Sequence, residues 1–267
     1  STQAKTLFPY TTLFRSTQWV AKASKDGHTL LMTISSSQAI NPALYKNEGF
    51  DPVKDFKPIS LIGSVPNVLL VHPSFAAKSI PELMALAKGK PDYYQYASAG
   101  NGTLNHLLGE MLNSMAGIQL QHVPYKGVAP ALNDVLGGQL PMVFASLPSS
   151  LSHIKAGKLR CIATGSAQRL PQLPDVPTVA ESGFKGFEMT QWYGLMVPSR
   201  WNKANTAKLE AEAIKAARGT AVKEKLAQET ALAVGNTGAE FDAFIKAEQA
   251  RWKPVIARAQ IKPEGLG

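Results

Sequence analysis

The chain is 267 residues long, 45% hydrophobic and 18% charged, which suits a globular protein with a sizeable core and excludes a disordered or collagen-like one. Its 28 basic residues outnumber 19 acidic ones for a net charge of +9. That balance favours anionic partners, but Lys and Arg are scattered and no nucleic-acid-binding signature interleaves them, which argues against a DNA- or RNA-binding protein.

The chain opens on TLFPYTTLFRS, Thr6 to Ser16, which fits neither strand alternation nor a helical stripe over its whole length. The stretch lacks a basic leader, a long apolar block and a small-residue cleavage site, so it does not read as a signal peptide. No uninterrupted apolar stretch reaches transmembrane length. Next, DGHTLLMTISSS reads as a turn at Asp26-Gly27, an extended core from Thr29 to Met32, and a loop at Ser35, Ser36 and Ser37. Two short apolar runs follow, around Ile59–Ile62 and Val68–Val71, the second a buried strand that ends at Pro73.

A helix then begins at Ser79, with Glu82 three residues on to complete a capping box, and Gly89 to stop it. The stretch from Tyr93 to Gly117 predicts a strand, a tight glycine turn and a helix. Leu104, Leu107, Leu108, Met111, Leu112 and Met115 form its apolar stripe. The pattern repeats through a loop at Tyr125–Gly127, a helix through Leu132, Val135 and Leu136, and a strand at Met142–Ala145. Further strands are predicted at LRCIATG and MTQWYGLMVPS. The single cysteine, Cys161, reads as a small buried hydrophobe and rules out a disulfide framework or a multi-cysteine metal site. Ala204 to Ala231 is rich in helix formers. A last helix opens on the capping box of Thr237 and Glu240 and carries Phe241, Phe244, Ile245, Trp252 and Ile256, with a kink expected at Pro254. Strands alternating with helices predict an α/β protein with largely parallel sheets.

Catalytic signatures are weak. The five histidines form no HExxH or other close ligand pair, no G-x-S-x-G elbow is present, and AGNGTLNH has only two spaced glycines without a following Gly-Lys-Ser. No metal site and no cofactor are expected, and no serine is expected beside an activating base. A binding role fits better. Ser98, Gly100, Asn101, Gly102 and Thr103 lie between a strand end and a helix start, where free N–H groups and the positive end of a helix dipole stabilise an anion. Simple capping of the helix is the competing explanation. Ser35, Ser36, Ser37 and Asn41 form a second polar cluster, and Tyr125 with Lys126 a third, in which Lys126 reads equally well as part of a structural turn. Small polar loops without an activated base suit holding a carboxylate rather than transforming it.

GHTLLMTISSSQAINPALY, PNVLLVHPS, YASAGNGTLNHLLGEMLNSMAG, HVPYKGVAPALNDVLGGQ, HIKAGKLRCIATGSAQRLPQLPDVPTVAESG and WYGLMVPS resemble, in order, the substrate-binding receptors of tripartite tricarboxylate transporters, the Bug-type periplasmic receptors. The resemblance runs from about Thr17 to the end. It implies a two-lobed α/β periplasmic-binding-protein fold of the type II, Venus-flytrap kind, which closes on a small carboxylate and passes it to membrane permease subunits. Lobe I would comprise residues 17–71 and 193–267, and lobe II residues 72–192. NVLLVHP and QWYGLMVP would be the crossings. The implied ligand contacts are Ser35, Ser36, Ser37, Ala39 and Asn41 from lobe I. Ser98, Ala99, Gly100, Asn101, Gly102, Thr103, Tyr125 and Lys126 would come from lobe II. Where many relatives carry an acidic or amide pair after MVF, this chain has Ala145 and Ser146, which argues against recognition of a ligand amine there.

The family also begins with a strand, a ligand loop, a helix and a second strand ahead of the segment matching TQWVAKASKDG. Residues 1–16 stand in that place and read as a non-native, adapter-like segment, which implies an unpaired strand edge, a folded lobe II beside a compromised lobe I, and weak or no ligand binding by this chain. The resemblance implies a periplasmic, monomeric, non-catalytic carrier with no nucleic-acid partner. An α/β enzyme acting on a carboxylate in the same cleft and a ligand-sensing subunit for a membrane kinase are the alternatives.

Overall fold

The computed structural model describes residues 17–24, 26–44, 49–188, 190–259 and 261. The opening stretch Thr6–Ser16, and with it the reading of residues 1–16 as non-native, lies outside the described residues. The chain divides into two compact units. One comprises the chain as far as Gly63 with Trp192–Lys223 and Ala233–Trp252; the other comprises Ser64–Gln191, Glu224–Leu232 and the chain from Lys253 onward.

In the first unit a short helix α1 (residues 17–22) precedes strand β1 (Leu31–Ile34). The expected serine loop is helical instead. Ser35 already has right-handed helical dihedrals, residues Ser36–Ile40 wind as one π-helical turn, and α2 (Asn41–Leu44) continues it. Such π turns are rare and leave no periodic signal in a five-residue stretch.

Strand β2 (Phe56–Val71) is a single strand of 16 residues, where the sequence pattern suggested two short ones. The interruption between the apolar runs, Gly63 to Pro66, is extended backbone, and the boundary between the units falls within it, at Gly63/Ser64. Strand β1 pairs antiparallel with β7 (Thr190–Pro198), from Leu31 opposite Met196 to Ile34 opposite Tyr193. β7 lies between β1 and β2, leaving β1 at the edge of the described sheet with Met32 exposed.

The core of this unit gathers Ile59, Val197, Trp201 and Ala213, the last from α7 (Lys203–Arg218). Trp192 meets Phe241 edge-on, with ring centroids 5.5 Å apart, an arrangement that aromatic quadrupoles favour. The Phe241 ring occupies the space that a Cβ on Gly194 would need, 2.0 Å from its nearest atom. Phe241 belongs to α9 (Gly238–Arg258), whose start carries the expected reciprocal box: Thr237 N–H donates to Glu240 Oε2 (2.8 Å) and Glu240 N–H to Thr237 Oγ1 (3.2 Å). Pro254 lies inside α9, which continues to Arg258.

In the second unit, β3 (Gln95–Ser98) pairs in parallel with β4 (Gln121–Pro124) and β5 (Met142–Ser146). The far half of β2 runs antiparallel to both β5 and β6 (Arg160–Thr164). The sheet is therefore mixed rather than largely parallel. β2 enters it as a continuous strand from the other unit, without the helical crossover that parallel neighbours require. Helices α3 (Ile80–Ala87), α4 (Leu104–Ala116), α5 (Val128–Leu136) and α6 (Leu147–Lys155) connect or flank these strands. Val68, Leu70, Ala97, Leu132, Val135, Val143, Leu147 and Cys161 share one core, and burial pushes the Cys161 thiol up to about 12.

The cap of α3 departs from the expected box. Glu82 N–H donates to Ser79 Oγ, but the Glu82 carboxylate accepts from Lys78 N–H, one residue upstream of the cap. The helix expected from Ala204 to Ala231 is two helices, α7 and α8 (Thr220–Gln228), separated by Gly219. The short strand β8 (Leu232–Ala233) then pairs with β2. Among the described residues, no helix is long and apolar enough to cross a membrane.

Candidate functional site

In the second unit the segment Ala99–Thr103 joins the carboxyl end of β3 to the amino end of α4. Gly100 and Gly102 have φ of 133° and 71°, in the region that side chains with a Cβ avoid. Thr103 caps α4, its Oγ1 accepting from His106 N–H (3.4 Å) and donating to the Gly100 carbonyl (2.7 Å). The amides expected to be free are in part committed within the loop. Gly100 N–H donates to Ser98 Oγ (3.0 Å), Thr103 N–H to the Gly100 carbonyl (3.3 Å), and Gly102 N–H to His106 Nδ1 (3.1 Å). The loop is thus held in a fixed shape by its own hydrogen bonds, with the positive end of a 13-residue helix behind it.

The neighbouring loop is tied to the same frame. Tyr125 N–H donates to the Ser98 carbonyl (3.1 Å) and Gly127 N–H to the Ala99 carbonyl (3.1 Å). The structure therefore brings Ser98–Thr103 and Tyr125 together. The Tyr125 hydroxyl donates to Asp134 Oδ2 (2.5 Å), and burial with that carboxylate pushes its phenol up to about 12. Lys126 is exposed. Ala145 is buried on β5, and the Ser146 hydroxyl donates to Ser149 Oγ (3.0 Å).

Under the loop lies a histidine pair that sequence reasoning did not connect. His106 of α4 and His122 of β4 stack with centroids 3.7 Å apart and planes within 7°. His122 Nε2 is 2.6 Å from Ser98 Oγ, so a serine does sit beside a histidine, contrary to expectation. The arrangement is structural. Ser98 is fully buried, its hydroxyl is shared with Gly100 N–H, and burial followed by the neighbouring His106 holds His122 down at about 3. An imidazole held that far below neutrality is a poor base for taking a serine proton. Tyr96 completes the cluster: its phenol donates to Glu110 Oε1 (2.7 Å), and burial raises the Glu110 carboxyl. Asn67 of β2, also unforeseen, accepts from Asn105 Nδ2 in the first turn of α4 (3.2 Å), while its own buried Nδ2 has no hydrogen-bond partner among the described residues.

In the first unit Ser35, Ser37, Ala39 and Asn41 are buried and Ser36 is half-buried. Gln38, which was not among the expected contacts, is fully buried, and neither end of its side-chain amide has a partner among the described residues. Thr33 Oγ1 and Ser35 Oγ are likewise buried and unpartnered. Nearly all buried polar groups in folded proteins are satisfied, which marks this six-residue stretch as unusual. Nothing in the sequence pattern distinguishes Gln38 from a solvated polar residue. A cavity of about 280 Å³, lined by residues including His72, Phe75, Leu86, Tyr94 and Gly138, lies within the second unit. It sits where β3 and β5 begin, away from the Ser98 end of the sheet. Among the described residues no group of three or more His, Cys, Asp or Glu is placed to hold a metal ion.

The sequence model described as "Tripartite tricarboxylate transporter family receptor" matches residues 13–261. The chain belongs to this receptor family. Protein BugT of Bordetella pertussis is 32% identical over 247 residues, which cover 92% of this chain and 76% of BugT. Among solved structures, the Rhodopseudomonas palustris protein Rpa4515 with adipate is 31% identical at a TM-score of 0.82, over 94% of this chain and 84% of that one. MatC of the same organism, with bound malate, is 27% identical at a TM-score of 0.76, over 91% and 84% of the two chains. The family and the α/β fold anticipated from the motifs are those found.

Proposed function

We propose that this receptor captures a small organic carboxylate outside the cytoplasm and delivers it to membrane permease subunits, without transforming it. It acts as a periplasmic monomer. The observation that carries this reading is the Ser98–Thr103 loop, a glycine-shaped turn at the carboxyl end of a parallel strand that opens a capped helix, the kind of place where anions are held. Two solved relatives were captured with adipate and malate, which supports a dicarboxylate first; tricarboxylates, aromatic acids and amino-acid-like acids are further members of the class. In the second unit Ser98, Ala99, Gly100, Asn101, Gly102 and Thr103 form the carboxylate seat, with Tyr125 beside them and the exposed Lys126 as a nearby cation. In the first unit Ser35, Ser36, Ser37, Ala39 and Asn41 supply polar contacts. The lobes follow the boundaries 17–71 with 193–267, and 72–192.

The Ser98–His122 pair argues against the enzymatic alternative, since the Ser98 hydroxyl is bonded to Gly100 within the loop and burial leaves the His122 imidazole too weak a base to activate it. Calorimetric titration with adipate, malate, citrate and benzoate, followed by NMR of the recovered acids, tests the reading. Weak but saturable binding of at least one acid, recovered unchanged, is expected, and Thr103→Ala is expected to weaken it several-fold further by loosening the cap. Turnover of any acid would establish the enzyme instead.

A further inference from the structure

Four atoms tie the histidine pair to the loop: Gly102 N and His106 Nδ1 at 3.1 Å, and Ser98 Oγ and His122 Nε2 at 2.6 Å. Because Gly102 N–H donates to Nδ1, that nitrogen carries no proton, and the neutral ring keeps its hydrogen on Nε2. The Nε2 atom lies 3.9 Å from Glu110 Oε1. The two rings lie face to face, His106 buried and His122 half-buried, so the pair forms a plate under both ends of the loop.

We propose that His106 and His122 are positioning residues for carboxylate capture: as a neutral stacked pair they hold Gly102 and Ser98 so that the Ala99–Thr103 segment keeps its ligand-ready shape. This rests on the receptor reading above and extends it to two residues that need not touch the ligand. A neutral pair also means that the loop greets the anion with backbone dipoles and not with an imidazolium charge. The titratable groups around the pair are Glu110 on α4, Tyr96 on β3, which donates to Glu110, and Asp92, which acts on Glu110 from the turn before β3. Burial holds His106 down at about 4 and His122 at about 3, which keeps both neutral through the mildly acidic range.

The test compares His106→Asn with His106→Leu. The Asn Oδ1 stands where imidazole Nδ1 stands and still accepts from Gly102 N–H, whereas Leu accepts nothing. With malate as the probe, His106→Leu is expected to bind at least about tenfold more weakly than wild type and His106→Asn within about threefold of it. Equal affinity of all three proteins overturns the proposal, as does an Asn variant as weak as the Leu variant. If the Leu variant does not fold, the ¹⁵N spectrum of the wild-type imidazoles decides. It is expected to show His106 protonated on Nε2 alone from pH 5 to 8. A proton on Nδ1, or titration near pH 6.5, refutes the arrangement. A wild type that binds no acid at all contradicts the receptor reading and takes this role down with it, whereas binding unaffected by His106→Leu removes the role alone.

Discussion

At the scale of single residues, the two stacked histidines make the fold sensitive to acid. Both side chains have folded-state pKa values depressed below 6.5, to about 4 for His106 and about 3 for His122, with burial the main cause. Between those values and 6.5 the unfolded chain binds protons that the folded chain refuses, so stability rises with pH across the window and is lost as pH falls through it. Glu110, raised above 4.5 by burial, acts the other way: its contribution is present at low pH and lost as pH rises. Two histidines against one carboxyl give a net loss on acidification. Asp51 and Glu240, held below their usual range by backbone hydrogen bonds first, add to that loss below about pH 4. The midpoint of thermal unfolding is therefore expected to hold level above pH 7 and to fall steadily from pH 6.5 to 4. A double variant, His106→Asn with His122→Asn, is expected to flatten the slope. A wild-type midpoint unchanged between pH 7 and 4.5 would show that the pair does not titrate as its surroundings demand.

At the scale of elements, helix α4 and strand β3 fit through one glycine. A Cβ on Gly109 would come within 2.1 Å of the Tyr96 ring. Tyr96 is fully buried and anchored to Glu110, so it has little room to retreat. Alanine in mid-helix ordinarily gains up to about 1 kcal/mol over glycine, but overpacking costs about 1–3 kcal/mol, and the clash should win. Gly109→Ala is expected to lower the unfolding midpoint and to disturb the loop through Tyr96, which lies against His122; a stabilised variant would show that the ring moves freely. This fit was not legible in the sequence, where Gly109 looks like a neutral interruption of a leucine stripe. The stripe itself was legible, since Leu104, Leu107, Leu108, Met111 and Leu112 are buried and Gly117 ends the helix in a left-handed conformation, although Met115 is exposed. Periodicity reports which face is covered, not what covers it. For the same reason α6 went unread: Ser149 and Ser150 look like loop residues, yet their hydroxyls bond back to the Ser146 carbonyl inside the first turn. The serine stretch before Ile40 failed differently, because a single π turn is shorter than any repeat that would reveal it.

At the scale of the whole molecule, the order of motifs carried the family and the α/β class, and the expected strand-to-helix glycine turn is present at Ala99–Thr103. What stayed hidden was every feature that depends on residues distant in sequence. Among these are the pairing of His106 with His122, the unpartnered amide of Gln38, and the antiparallel entry of β2 into the second sheet. The net charge of +9 favours organic anions near the surface without selecting among them. The most direct test is a ¹H–¹⁵N NMR titration of the folded chain with malate and adipate, following the amides of Ala99 to Thr103. Saturable shifts concentrated in those amides, with the acid unchanged at the end, are the expected result. A folded chain whose loop amides ignore both acids at millimolar concentration, or that consumes either one, would contradict the account.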